Sequence, residues 1–404
     1  MKYDFTTILE RRGNDALAVD AVGMKRWGNE PETPKEGFDF IPMWVADMNF
    51  ATCPTVTAAL AERIKHPTFG YFIPREEYFD SIINWQNKRH GTIGLAREHI
   101  GYENGVHGFV TSAIQVLSKP GDKILIHSPF YIGFSADIEG TGRTSVFSPL
   151  KQDENGIWRM DHEDMDRKLK EHNIHLSVFC SPHNPTGRVW ERWELEKAMA
   201  VYEANECYVI SDEIWADLTF FGHPHIPTQM VNEWAREHTA AVYATSKTFN
   251  LAGIIASYHI IYNKYLRDRI AGYADGTNYN SMNVLGMHAV IGAYKPEAYE
   301  WVDELRQVLE GNAGFACDYI NEHFKGIDAA RPEGTYMLFV DCSEYCKRTG
   351  RHLDDILKMG WDVGIGWQDG RRFGGECHIR MNLASPLSQI QKVFERLEQY
   401  VFNE

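Results

Sequence analysis

Four side chains in this 404-residue sequence have the types and positions to do chemistry together, each lying at or just past an apolar run. Lys247 follows Ala240-Ala241-Val242-Tyr243-Ala244 and precedes the uncharged stretch Thr248-Phe249-Asn250-Leu251-Ala252-Gly253. An ammonium is costly in such surroundings, so its pKa should fall, leaving a free amine able to form a Schiff base with an aldehyde. A lysine that merely extends its stem from a strand end fits the same local sequence. Asp212 closes the run Cys207-Tyr208-Val209-Ile210-Ser211. A buried carboxylate needs a cation, and a protonated pyridine nitrogen would supply one; an aspartate capping the next helix is the other reading. Asn184, in Ser181-Pro182-His183-Asn184-Pro185-Thr186-Gly187, has an amide that can donate to a phenolate oxygen, or is a turn residue before Pro185. Gly105-Val106-His107-Gly108 reads as a helix start preceded by a small residue, a place for a phosphate as well as for an ordinary turn. Tyr131, after Ser128-Pro129-Phe130, offers an aromatic face.

The elements that must position these groups are short apolar runs alternating with helix-period segments. Lys123–His127, Leu176–Cys180, Cys207–Ser211 and Ala240–Ala244 are almost wholly apolar, as expected of strands covered on both faces of a parallel sheet. Helical spacing is predicted over Gly108–Leu117, Glu191–Asn205 and about Trp301–Phe324. This alternation predicts an α/β fold with a mostly parallel central sheet, and ligands then sit beyond the carboxyl ends of the strands. A chain this long exceeds what one core supports, so two domains are expected. We place a large domain at 46–290 and a smaller α+β domain in 1–45 with 291–404, where Tyr336–Val340, a helix near Leu353–Lys358 and His378–Met381 change the pattern.

Composition narrows the partners. There are 41 basic and 56 acidic residues, a net charge of −15, which disfavours nucleic acid and anionic lipid. An anionic substrate therefore needs local basic residues. No membrane-length apolar stretch and no secretory h-region is evident, so the expected location is cytoplasmic. Seven scattered cysteines without a Cys-x-x-Cys pair predict free thiols rather than a disulfide framework or zinc site. His172, His175, His223 and His225 lack neighbouring residues to complete a ligand set, and no metal is expected. The glycines at 364, 366, 374 and 375 do not form a dinucleotide fingerprint.

The order of cradle, aromatic, Asn, Asp and Lys resembles the fold-type-I pyridoxal-phosphate enzymes related to aspartate aminotransferase, over nearly the whole chain. Within them it resembles the MalY/PatB branch of cystathionine β-lyases, or C–S lyases. The stretches that carry the likeness are Trp44-Val45-Ala46-Asp47-Met48-Asn49-Phe50, Phe69-Gly70-Tyr71, Ser181 to Trp190, Ser211-Asp212-Glu213-Ile214, Ser246 to Gly253 and Glu333-Gly334-Thr335-Tyr336. The resemblance implies the aspartate aminotransferase fold, a pyridoxal 5′-phosphate cofactor and a homodimer with shared active sites. It implies that Lys247 carries the cofactor and moves the α-proton, that Asp212 keeps the ring nitrogen protonated, that Asn184 donates to the ring oxygen and that Tyr131 stacks on the ring. It further implies that the amides of Val106 and His107, with Ser246, hold the phosphate, that Tyr71 reaches the neighbouring subunit's phosphate, and that Arg380 grips the substrate carboxylate. Trp215 stands where relatives carry Tyr or His near the ring oxygen, Asn49 replaces an Asp in a loop near the substrate, Ile132 replaces a second tyrosine, and Ile255 replaces the phosphate-binding Arg of many aminotransferases. An indole N–H donates but does not accept.

The activity the resemblance implies is β-elimination from cystathionine or another cysteine S-conjugate, giving pyruvate, ammonia and a thiol. Transamination of an aromatic or other amino acid is the competing outcome, because Lys247, Asp212 and Arg380 serve both. A regulatory, protein-binding role that retains the cofactor is the third.

Overall fold

The computed structural model describes every residue except Trp27, Asn29 and Glu404. Its main sheet is built from β1 (Ile100–Glu103), β2 (Lys123–Ser128), β3 (Thr144–Pro149), β4 (Leu176–Cys180), β5 (Tyr208–Asp212), β6 (Thr239–Ala244) and β7 (Ser257–Ile260). They lie in the order β1-β7-β6-β5-β4-β2-β3. Only β7 runs antiparallel to its neighbours; the other pairings are parallel. The four predicted apolar runs are four of the seven strands of this sheet, with ends that differ by at most one residue. All of β4 and β6 is buried, because helices cover both faces.

Helix α1 (Val106–Leu117) follows β1, and α2 (Thr245–Thr248) follows β6. Helix α1 starts two residues earlier than its apolar periodicity predicts. Gly105 at its N-cap has φ of 85°, a conformation glycine adopts without the Cβ clash, and this turns the chain into the helix at once. The predicted second and third helices are Arg192–Ala204 and α3 (Pro296–His323), the latter entered through a proline at its first position.

A second, antiparallel sheet contains Asp328–Ala329, β8 (Met337–Asp341), β9 (His378–Asn382) and Gln368–Asp369, with β8 paired to β9 across its full length. Ile41–Pro42 pairs in parallel with Ile365–Gly366, tying the N-terminal segment to this region. One apolar core gathers Trp85, Tyr258, Phe249, Trp301 and Leu305 under the main sheet; another gathers Leu338, Ile379, Ile390, Phe394 and Ala316 under the small one. Helix α3 spans both, giving Trp301, Val302, Leu305 and Leu309 to the first and Ala313, Ala316, Cys317 and Ile320 to the second. Among the described residues no helix is long and apolar enough to cross a membrane.

Candidate active site

The carboxyl ends of β4, β5 and β6 and the start of α1 enclose a cavity of about 160 Å³. Its wall includes Val106, His107, Tyr131, Asn184, Asp212, Trp215, Ser246 and Lys247, so the structure brings these expected site residues together from widely separated segments of the chain. Lys247, Tyr131 and Ala46 also line an adjoining outer cavity of about 740 Å³, whose far wall carries Arg380, Trp44, Gln368, Phe373, Arg11 and Asp47.

Lys247 sits on α2, the single turn that β6 feeds. Its Nζ donates to the carbonyl of Ala46 at 2.8 Å and lies 5.5 Å from the Trp215 ring centre. Burial, with Arg380 nearby, brings its pKa down to about 8. The acceptor is held in place by side chains that grip the loop from Trp44 to Phe50. Asn382 donates to the carbonyls of Val45 and Asp47, Asn250 donates to that of Met48, and Arg380 donates to that of Trp44. Tyr336 Oη also donates to Ala46, at 3.0 Å, and packs edge-on against Trp215.

Asp212 is buried at the end of β5. Its Oδ1 accepts from the Ile214 amide at 3.0 Å, and no cation lies within ion-pair distance among the described residues. Burial lifts its carboxyl to about 6. Arg380, on β9, is equally buried and has no carboxylate partner among the described residues. Its Nη1 donates to Asn184 Oδ1 at 3.2 Å, its Nη2 to Gln368 Oε1 at 2.6 Å, and the guanidinium lies 4.0 Å from the Phe373 ring centre. Its Nε has no acceptor among the described residues, and burial lowers its pKa to about 10. Because Asn184 Oδ1 already accepts from Arg380, its amide nitrogen is the group left to donate into the cavity.

The amides of Val106 and His107 open α1, a position where helix N–H groups lack intrahelical acceptors and favour an anion. The His107 imidazole is engaged elsewhere. Its Nδ1 pairs with Asp137 at 2.7 Å, which raises the imidazole pKa, and its Nε2 faces Tyr131 Oη at 3.2 Å. Ile255, on the cavity wall, has φ of 53°, a left-handed conformation strained for a β-branched residue.

Two expected residues stand outside these walls. Asn49 lies behind Arg11, accepting its Nη1 at 2.6 Å, while Arg11 Nη2 pairs with Asp47 at 2.5 Å. Tyr71 is fully exposed, beside Phe69, Phe72 and Met282 in a separate surface hollow. Gln368, Phe373, Tyr336, Asp137 and the Ala46 carbonyl have site roles that the sequence does not announce. They act through contacts between segments far apart in the chain, which even the recognisable stretches around Ala46 and Tyr336 do not reveal.

These groups fit pyridoxal 5′-phosphate: a deprotonatable amine, a buried carboxylate awaiting a cation, a helix start for a phosphate and an amide donor converge on one cavity. The family described as aminotransferase class I and II matches residues 39–397. Cystathionine beta-lyase PatB of Bacillus subtilis (strain 168) is 31% identical over 362 residues, covering 89% of this chain and 92% of that protein. Protein MalY of Escherichia coli (strain K12) is 30% identical, with 96% of each chain covered. The crystal structure of the pyridoxal-phosphate-bound C–S lyase from Staphylococcus hominis superposes with a TM-score of 0.89 at 28% identity, covering 100% of this chain and 99% of that one.

Proposed function

The chain belongs to the class I and II aminotransferase family, and from that premise we propose that it is a pyridoxal-phosphate C–S lyase, releasing a thiol from cystathionine or another cysteine S-conjugate. The observation that carries the reading is the convergence on two connected cavities of three ionisable groups, the half-buried Lys247 and the buried Asp212 and Arg380, none ion-paired among the described residues. Pyridoxal 5′-phosphate, when bound, supplies an aldehyde for the substrate amine and a cationic ring that takes up the electron pair left at Cα.

The chain's own residues do the rest. Arg380 offers its guanidinium to the substrate carboxylate; the negative charge replaces the acceptor its Nε lacks, and the fork fixes the substrate's orientation. Lys247 Nζ, with a pKa of about 8, is deprotonated in a substantial fraction of molecules at neutral to mildly basic pH and takes the proton from Cα. Asp212 supplies the negative charge that keeps a ring nitrogen protonated, and Asn184 donates from Nδ2. Val106 and His107 amides with the Ser246 hydroxyl hold a phosphate, and Tyr131 covers the ring face. Trp215 adds bulk and, at most, an N–H donor, so it withdraws charge from the ring oxygen but never supplies it. Asn49 acts on the substrate through Arg11, which it steadies at the cavity wall.

We further read the active form as a homodimer in the cytoplasm, with 46–290 as the large domain and 1–45 with 291–404 as the small one. Full exposure of Tyr71 next to exposed Phe69 and Ile73 supports a partner there, and Tyr71 is the residue we assign to the partner's phosphate. The test is incubation with cystathionine and measurement of pyruvate. Stoichiometric pyruvate and thiol are expected; absence of pyruvate, with a keto acid formed from another amino donor, would make the protein an aminotransferase. A yellow absorbance lost on borohydride reduction, together with label on Lys247, is the independent check of the cofactor.

A further inference from the structure

Five of the seven cysteines are buried, whereas Cys346 and Cys377 are both partly exposed with their sulfurs 3.5 Å apart. We propose that Cys346 and Cys377 are a redox-active dithiol that closes reversibly into an intrachain disulfide when it meets a small-molecule disulfide. The backbone already holds the two in register. Cys346 lies one turn into the helix Ser343–Thr349, its amide donating to the carbonyl of Cys342, and the Cys342 amide donates to the carbonyl of Cys377 at 2.8 Å. A disulfide needs sulfurs about 2.05 Å apart, so the pair closes by about 1.5 Å, within reach of side-chain rotation. Cys342 is buried beside them, and among the described residues no three metal-ligating groups converge.

The exchange balances without any group from the active site. Cys377 loses its proton and its sulfur attacks one sulfur of the small disulfide; that S–S bond breaks, and the first small thiol leaves with the electron pair and a proton. Cys346 then loses its proton and attacks Cys377, forming the protein S–S bond and releasing the second small thiol. Two protein thiols are oxidised and one disulfide is reduced. Burial and the adjacent sulfur raise the Cys346 thiol above its ordinary range, which disfavours Cys346 as the attacking group and suits it to the second, resolving step. The bond joins the Ser343–Thr349 helix to the segment entering β9, three residues before Arg380, so the clip lies just ahead of the strand that presents the guanidinium we assign to the substrate carboxylate.

The holoenzyme is incubated with oxidised glutathione, quenched with an alkylating reagent in denaturant so that buried thiols react too, and mapped by mass spectrometry. The expected result is loss of two hydrogens from the intact mass, a Cys346–Cys377 cross-linked peptide, five cysteines still alkylated, and full reversal by dithiothreitol. C346S is expected to stop at a glutathione adduct on Cys377, and C377S to show neither adduct nor cross-link. Retention of free thiols at both positions in the wild-type holoenzyme, or a cross-link that uses other cysteines, would overturn the proposal. The wild-type map decides even if a serine variant fails to fold.

Discussion

Asp212 and Glu213 are chain neighbours, both buried, and they face opposite ways. Asp212 looks into the cavity with one backbone amide for company, and its carboxyl is pushed up to about 6. Glu213 looks into the protein, where it accepts from His225 at 2.8 Å, from Tyr243 at 2.6 Å, and from the Thr228 amide and Ser211 at 3.0 Å, and its pKa falls below the usual range despite complete burial. Asp217, five residues beyond Asp212, resembles Glu213: His90, Trp85 and Thr248 satisfy it and its carboxyl is held at about 2. The contrast separates charges that hold a fold from charges that wait for a ligand. The first are surrounded by their own partners, and the second are left short of them at a cost the bound molecule removes.

The sharpest way to test that division is to remove one charge from each side. Lys247→Ala is expected to lower pyruvate release on the order of 10⁴-fold or more, without loss of the folded state, in a coupled assay run beside a thermal melt. Residual turnover within about tenfold of wild type would erase the distinction. Glu213→Gln should do the reverse: about 3–5 kcal/mol of stability lost in urea unfolding, since it strips a buried network of its carboxylate, with kcat of the folded fraction little changed.

Asp212→Asn is expected to stabilise the cofactor-free protein by up to roughly 3 kcal/mol at pH 7. The sign follows from the raised pKa. Between pH 3.8 and about 6 the folded state binds the proton more tightly than the unfolded one, so wild-type stability falls as pH rises through that window, and the penalty is complete above it. The gain in the variant should therefore fade below pH 6, and adding pyridoxal 5′-phosphate should reverse the order of the two proteins. Equal stability at pH 7 would mean Asp212 is not the strained member of the pair. The smallest effect expected is for Arg380→Lys, a fall of roughly ten- to a hundredfold in kcat/KM carried mainly by KM, as a point charge replaces the fork.

Lys247, Asp212 and Asn184 are legible in the sequence because apolar runs announce strands, and polar residues at strand ends in a parallel sheet gather at one rim. What Ser-Asp-Glu-Ile does not convey is how Glu213 is satisfied, since most of its partners come from residues 225, 228 and 243. The same holds for Arg380. Its want of a carboxylate is a fact about Gln368, Phe373 and Asn184 arriving around it from three segments, with no acid among them. Asn49 shows the limit from the other direction: its place in a recognisable loop marks it for the substrate, whereas Arg11, 38 residues away, takes up its side-chain oxygen.

The helix Pro296–His323 joins the two cores as a continuous beam, anchored at one end by Trp301 and Leu305 and at the other by Cys317 and Ile320. Between the anchors lie Gly311, Asn312 and Gly314, two residues that weaken a helix flanking one whose amide ties it to the carbonyls of Leu383 and Ser385. That short span is therefore where the helix is intrinsically weakest, at the point where it passes from one core to the other. Alanine has room at both glycines, so G311A and G314A should each strengthen the helix without altering a single group at the candidate site.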